Sequence, residues 1–206
     1  MRPSSVLAFV LRAIGAFVAL LLGWYLLGEW FTVPAGVVAK GAVAALFPSW
    51  AEGVQQSGTT LALLTTLEVR GVAGAAPGQV ALLSPEANFL PYGYGLPLLV
   101  ALLLAARAGR LPAKIALGAA ALLPFQVLGV CLDWLKQLAI GMGAAPFSAA
   151  ERELIAFGYQ MGSLVLPALV PVLVWAWLDL AFLRAFVVEA ALEGEGGEPP
   201  SSRGSR

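Results

Sequence analysis

The sequence lacks histidine entirely and has a single cysteine, Cys131, among its 206 residues. The absence of histidine removes the commonest general base and the commonest metal ligand of proteins. One cysteine excludes an internal disulfide and any site built from several thiolates. Phosphate-loop, zinc-ligand and nucleophile-elbow motifs are also missing from the sequence. We therefore expect no cofactor, no metal and no enzymatic activity.

Cys131 is the one residue that invites a nucleophile hypothesis. A thiolate needs a nearby base, a cation or a helix N-terminus to become reactive. Its neighbours Val130 and Leu132 are apolar, and Lys136 is more than one helical turn away. A packed, inert thiol is the better interpretation, because a buried free cysteine behaves as a small hydrophobic residue.

Charge is scarce as well. Charged residues make up 12% of the chain and hydrophobic residues 60%, with a mean hydropathy of +0.86, whereas an average soluble domain is about 25% charged. This composition indicates a protein whose main partner is the lipid bilayer. The formal net charge of zero gives no basis for nucleic-acid binding.

The first long apolar run covers residues 13–31 and contains Trp24, Tyr25 and Trp30 near its end. A cleaved signal peptide would have an apolar core of about 7 to 15 residues before a small-residue cleavage site. This run is longer and ends in bulky aromatic residues, so an uncleaved transmembrane helix is the better interpretation. Residues 1–31 are thus predicted to form a cytoplasmic N-terminus and the first span.

Residues 32–89 are predicted to form an extracytoplasmic, periplasmic segment. Within it, residues 34–50 place apolar side chains on one helical face, which fits a short amphipathic helix on the membrane surface; a loosely structured linker fits equally well. Polar and apolar residues alternate from 58 to 71, which predicts a strand. The turn-rich residues 71–78 would then lead to a returning strand at 79–83, completing a β-hairpin.

Three more spans are predicted within residues 90–178, at 90–106, 115–135 and 155–178. The fold prediction is therefore an all-α membrane protein: a four-transmembrane-helix bundle with a small extracytoplasmic amphipathic helix plus β-hairpin inserted after the first span. Residues 179–206 would form the end of the last helix and a disordered, polar tail.

Orientation follows from the basic residues of the short loops. Arg107, Arg110 and Lys114 cluster between the second and third spans. Basic residues concentrate on the cytoplasmic side of a bilayer. We therefore expect both termini in the cytoplasm, in a bacterial inner membrane.

A polar face runs along the third span. Gln126, Asp133 and Gln137 recur at helical spacing, with Lys136 close by. Carboxylates are costly deep in a bilayer and then mark function. Asp133 lies near the end of its span, so an ion pair with Lys136 is favoured over a binding or relay role. All four residues are candidates for a partner-binding seam.

Gln126 lies deeper and must find a hydrogen-bond partner. Tyr159 and Gln160 on the last span are the candidate partners, because amides commonly join helices within membranes. A second candidate motif precedes the second span, where Tyr92, Gly93, Tyr94 and Gly95 follow one another. Tyrosines are frequent at the membrane interface, so this motif is predicted to lie there.

Four stretches resemble the small exosortase H-associated membrane proteins. They read YGYGLPLL from position 92, LPFQVLGVCLDWLKQ from 123, GYQMGSLVLPALVPVL from 158 and, more weakly, VQQSGTTLALLTTL from 54. Exosortases are membrane-embedded transpeptidases of Gram-negative bacteria that use Cys, Arg and His to process a C-terminal sorting signal on exported proteins. The resemblance implies a non-enzymatic accessory subunit, with an exosortase or a sorting substrate as its protein partner.

Two other functional classes remain open from the sequence alone. A small transporter or ion-conducting subunit would use Asp133 and Gln126, since spans interrupted by Gly and Pro often surround such sites. A membrane peptidase or transferase built on Cys131 is the third and weakest hypothesis.

Overall fold

Helices dominate the computed structural model, which describes residues 3–70, 80–141, 147–180 and 184. The remaining residues include the 71–78 connector, Gln79 and the polar tail, so the predictions made for them lie outside the described residues. The helices are α1 (Pro3–Leu26), α2 (Gly28–Leu46), α3 (Leu90–Gly93), α4 (Gly95–Ala105), α5 (Leu111–Gly141), α6 (Ala149–Gln160) and α7 (Leu166–Leu178). A π-helical segment, Met161–Val165, joins α6 to α7 without a break.

Three helices in the described part of the chain are long and apolar enough to cross a membrane. They are Val6–Leu26, Leu111–Gly141 and Ala149–Leu178, the last comprising α6, the π-helical segment and α7. The expected second span is shorter, covering Leu90–Ala105, and is divided at Tyr94 into α3 and α4. The described residues thus contain three helices of spanning length, and the predicted count of four is not confirmed.

The first apolar run ends earlier than predicted. Helix α1 stops at Leu26, and α2 begins at Gly28. A side chain at Gly28 would meet Leu90 at 2.7 Å and Thr59 at 3.0 Å, so glycine permits the close approach at this corner. Residues up to 31, assigned above to the span, therefore belong in part to α2.

Helix α2 supports the helical alternative for residues 34–50 over the linker, although the helix begins at Gly28 and ends at Leu46. Its buried positions, spaced three or four apart, are Gly28, Thr32, Ala35, Ala39 and Val43. That face packs against β1 (Ala51–Ser57) and α5. Small residues along it allow this close packing.

The sheet differs from the predicted single hairpin. Strand β1 pairs antiparallel with β2 (Thr60–Thr65) across a turn at Gly58, whose φ of +58° suits glycine. On its other side β2 pairs with β5 (Glu86–Asn88), giving the order β1-β2-β5. The predicted hairpin is present only as the short pair β3 (Glu68–Arg70) and β4 (Val80–Leu82).

The continuous strand predicted from the alternating stretch is wrong, because the chain leaves the larger sheet after Thr65. Thr65 Oγ1 donates to Leu83 O at 2.5 Å and accepts from Leu67 N at 3.2 Å. This hydroxyl ties the two sheets together at the point where the strand breaks.

Two buried clusters divide the molecule. One lies among α2, the sheet and the second half of α5, and its largest members are Trp134, Phe89, Leu61, Leu63 and Leu138. The other lies among α1, α4, α5 and α7, around Leu99, Leu103, Leu122 and Trp175. Helix α5 contributes to both clusters and thereby connects the sheet to the apolar helices.

Candidate functional site

Asp133, on the second half of α5, is the centre of a polar cluster that also contains Tyr92, Lys136, Gln137 and Tyr159. Tyr92 Oη donates to Asp133 Oδ2 at 3.0 Å. Gln137 Nε2 donates to Asp133 Oδ1 at 3.3 Å, and Lys136 Nζ lies 3.2 Å from the same oxygen. Both carboxylate oxygens therefore have protein partners, and the ion pair expected with Lys136 is present.

Lys136 extends this Asp133 cluster to α6. Its ammonium lies 3.5 Å from the centroid of the Tyr159 ring, which is a close cation–π contact. Tyr159, a candidate partner of Gln126 in the sequence analysis, instead contacts Lys136, which lies ten positions further along α5.

Gln126 and Gln160 do not join the cluster. Gln126 makes no hydrogen bond to any residue that the structure describes, and it lines an apolar cavity of about 270 Å³ beside Trp24 and Phe31. Gln160 is exposed, on the surface of α6. The polar face predicted along α5 is thus divided: Asp133, Lys136 and Gln137 act together, and Gln126 lies apart.

Gln137 forms hydrogen bonds to the backbone of the edge strand β5. Its Nε2 donates to Glu86 O at 2.7 Å, and its Oε1 accepts from Glu86 N at 3.3 Å. Pro85 O accepts from Leu63 N of β2, and Phe89 N donates to Thr59 O just before β2. The backbone of Glu86 therefore faces the opposite side, where an edge strand would otherwise have unpaired groups. The side-chain amide of Gln137 substitutes for a neighbouring strand at this position.

Trp134 makes the second link between α5 and the sheet. Its ring is fully buried, and its Nε1 donates to Leu61 O at 3.0 Å. The sequence analysis assigned no role to Trp134. A tryptophan one position from a polar helical face, within an apolar helix, is only a weak signal for such a contact.

The motif Tyr92 to Gly95 is a packing site. Tyr92 is 3% exposed and Gly93 is buried. A side chain at Gly93 would approach Phe89 at 2.5 Å and Trp24 at 2.9 Å, and one at Gly95 would approach Pro171 at 2.7 Å. Tyr94 is half-buried. Tyr92 therefore contributes a buried hydroxyl to Asp133.

Comparison with protein families decides the classification. The family model described as exosortase H-associated membrane protein matches residues 3–182. The chain belongs to this family. Searches of curated proteins and of solved structures found no match.

The matched range contains every helix and strand and every candidate residue described above. The Asp133 cluster combines one carboxylate, one ammonium, an amide and two phenols. Among the described residues no group of three His, Cys, Asp or Glu side chains is placed to hold a metal ion. The cluster's hydrogen bonds join α3, α5 and the sheet, and its cation–π contact adds α6, so its geometry suits a structural junction.

Replacing Gln137 with leucine should weaken this junction. The variant keeps an apolar side chain of similar size but loses the bonds to Glu86 and Asp133, each worth about 0.5–1.5 kcal/mol. Because Glu86 is exposed and water can replace part of the loss, we expect a decrease of about 1–2 kcal/mol in the free energy of unfolding in mixed micelles. Gln160→Leu, at an exposed position, is the matched control; equal losses for the two variants would contradict this role of Gln137.

Proposed function

We propose that this exosortase H-associated protein is a non-enzymatic accessory or assembly subunit that works with an exosortase in the C-terminal sorting of exported proteins. The observation that carries the proposal is family membership across residues 3–182 in a chain without histidine. A transpeptidase that depends on Cys, Arg and His cannot be assembled from this sequence alone. The chain would act by contact with the enzyme or its substrate.

The proposal places the protein in the inner membrane of a Gram-negative bacterium with both termini in the cytoplasm. Two ion pairs support the bilayer position: Lys114 with Asp179 at 3.0 Å, and Lys136 with Asp133 at 3.2 Å. The two lysines are about 33 Å apart along α5 at 1.5 Å per residue. A bilayer has a hydrocarbon core of about 30 Å, so each ion pair would lie at one surface.

The remaining topology belongs to the same proposal. Helices α3 and α4 would complete a fourth span, because they pack beside α1, α5 and α7. Residues 1–31 would hold the N-terminus, the first span and the start of α2. Residues 32–89 would form the periplasmic segment, 90–178 the other spans, and 179–206 the cytoplasmic end. Bonds from Gln137 and Trp134 would keep the periplasmic sheet fixed to the bundle, as a rigid platform for a partner.

A transporter that uses Gln126 and Asp133 is not favoured. Both oxygens of Asp133 are engaged by neighbouring side chains, and Gln126 lies apart beside an apolar cavity. A translocation site should instead present unpaired polar groups to a continuous path.

The decisive experiment is deletion of this gene in its host, followed by analysis of a tagged sorting-signal substrate. We expect unprocessed substrate to accumulate and processing to return with the wild-type gene. Cys131→Ala should restore processing equally, because the half-buried thiol is assigned no chemical role. Exosortase abundance, measured by immunoblot, separates an assembly role from a direct role in processing.

Two outcomes would contradict the proposal. Normal processing in the deletion strain would show that the protein is not required for sorting. Failure of Cys131→Ala to restore processing, at wild-type abundance in the membrane, would point to chemistry at the thiol and thus to an enzyme.

A further inference from the structure

A groove of about 270 Å³ lies between α5 and α6, on the side of α5 that carries Lys136. It is separate from the apolar cavity beside Gln126. Two basic side chains and four apolar ones line it: Lys136, Arg152, Ala139, Ile140, Ile155 and Ala156. The groove therefore offers positive charge and an apolar wall to one ligand. Neither the family match nor the proposed function assigns a role to it.

Lys136 and Arg152 differ in whether another described side chain pairs with their positive charge. Lys136 is paired with Asp133, although 28% of its side chain is exposed. Arg152 is exposed, and its guanidinium has no ion pair or hydrogen bond to a described residue. The adjacent Glu151 is engaged elsewhere, since its carboxylate accepts from Ser148 N at 2.8 Å in a capping box. Glu153, on the other side in sequence, does not line the groove and forms no ion pair with Arg152. Arg152 thus brings to the groove a positive charge that no described residue pairs with.

The position of the groove narrows the choice of ligand. Lys136 lies about 33 Å from Lys114 along α5. This distance is close to the thickness of the hydrocarbon core of a bilayer, so Lys136 and the Lys114–Asp179 ion pair would lie at opposite membrane surfaces. Arg152 lines the same groove and so lies near the same membrane surface. Ile140, in its wall, is 73% exposed. A ligand with an anionic group at the surface and hydrocarbon directly attached would satisfy both parts of the groove.

We propose that this groove binds an anionic phospholipid, with Lys136 and Arg152 contacting the headgroup phosphate and Ile140 and Ile155 contacting an acyl chain. Arginine and lysine are the usual phosphate-binding side chains. The inference is independent of the proposed role in sorting, because it depends only on the groove and on the membrane position of α5.

The test is lipid competition on the purified full-length protein. The protein in detergent is mixed with equimolar phosphatidylglycerol and phosphatidylcholine of identical acyl chains, and retained lipid is counted by native mass spectrometry. A basic residue near an anionic surface contributes about 1 kcal/mol, so wild type should retain at least roughly fivefold more phosphatidylglycerol. Arg152→Gln should reduce this preference roughly fivefold, and Arg152→Lys should preserve most of it.

Arg107→Gln is the matched control, because it removes the same charge from an exposed arginine in the connector between α4 and α5. An equal loss of preference in this control would show nonspecific attraction and overturn the assignment. Equal retention of the two lipids by wild type would overturn it directly. Displacement of the lipid by excess inorganic phosphate would indicate a site for the free ion. If Arg152→Gln left lipid preference intact but reduced exosortase co-purification, the groove would be a protein-docking surface instead.

Discussion

Replacing Trp134 with alanine is expected to cause the largest loss of stability available from a single substitution in the sheet-facing core. The side chain is fully buried between α5 and the sheet, and truncating a buried tryptophan costs about 3–5 kcal/mol. The variant also removes the bond from the indole N–H to Leu61 O. Leu61 pairs with Ala87 of β5, so its carbonyl keeps a backbone donor in the sheet and the lost bond adds about 0.5–1.5 kcal/mol.

Two further variants separate these contributions. Trp134→Phe keeps an aromatic ring but lacks the N–H and leaves a smaller cavity than alanine does. Its loss should therefore exceed the hydrogen-bond share of about 0.5–1.5 kcal/mol and stay below the loss of Trp134→Ala. Trp177→Ala removes a tryptophan that is 58% exposed and serves as the control. The free energy of unfolding in mixed micelles, with hydrogen exchange of β1, β2 and β5, is the measurement. A Trp134→Ala protein as stable as Trp177→Ala would contradict the role given to this core.

The sequence was sufficient for features that depend on neighbours along one helix. The apolar runs predict helices of spanning length, and the spacing of Asp133 and Lys136 predicts the ion pair that is observed. The quoted motifs also identify the family that the comparison confirms. These features are local: a helical turn or an uninterrupted apolar stretch determines each of them.

Contacts between residues far apart in the sequence could not be predicted from local spacing. Tyr92 lies 41 positions from Asp133, and Trp134 lies 73 positions from Leu61. Nothing in their immediate neighbours indicates these partners. Strand β1 reads AEGVQQS, and its Glu, Gly and Gln residues are poor strand formers. It is a strand because β2 supplies its hydrogen bonds along most of its length.

The division of the polar face on α5 has the same origin. Helical spacing places Gln126 with Asp133 and Gln137, but spacing along one helix does not determine what packs against each level of it. The sheet and Tyr92 meet α5 near Asp133 and Gln137, whereas an apolar cavity lies beside Gln126. Tertiary packing, and not periodicity, determines which amide acquires partners.

Gly129→Ala is the second large expected effect, and it connects helix packing to the Asp133 cluster. A methyl group at Gly129 would lie 2.5 Å from Cδ1 of Tyr92 and 3.1 Å from the backbone O of Gly162. Neither neighbour moves easily: Tyr92 is 3% exposed and its hydroxyl is bonded to Asp133, and the carbonyl belongs to the π-helical segment. Overpacking of this kind typically costs about 1–3 kcal/mol.

Whether the substitution raises or lowers the free energy of unfolding distinguishes a packed glycine from an open one. Alanine is favoured over glycine within a helix by about 1 kcal/mol, so Gly15→Ala, where no atom lies within 4 Å of the added methyl group, should be neutral or stabilising. Gly129→Ala should instead be destabilising when both are measured by unfolding in mixed micelles. Equal effects at the two glycines would contradict the close approach of α5 to the π-helical segment.

A double-mutant cycle with Tyr92→Phe then identifies what the added methyl group disturbs. Phenylalanine keeps the ring next to Gly129 but cannot donate to Asp133, so the steric part of the cost persists in this background while the hydrogen-bond part is already lost. If the methyl group displaces the Tyr92 hydroxyl, Gly129→Ala should cost about 0.5–1.5 kcal/mol less in Tyr92→Phe than in wild type. An unchanged cost would mean that the helices separate while the Asp133 cluster stays intact. In that case, packing of α5 against the π-helical segment and formation of the cluster would be independent features of the fold.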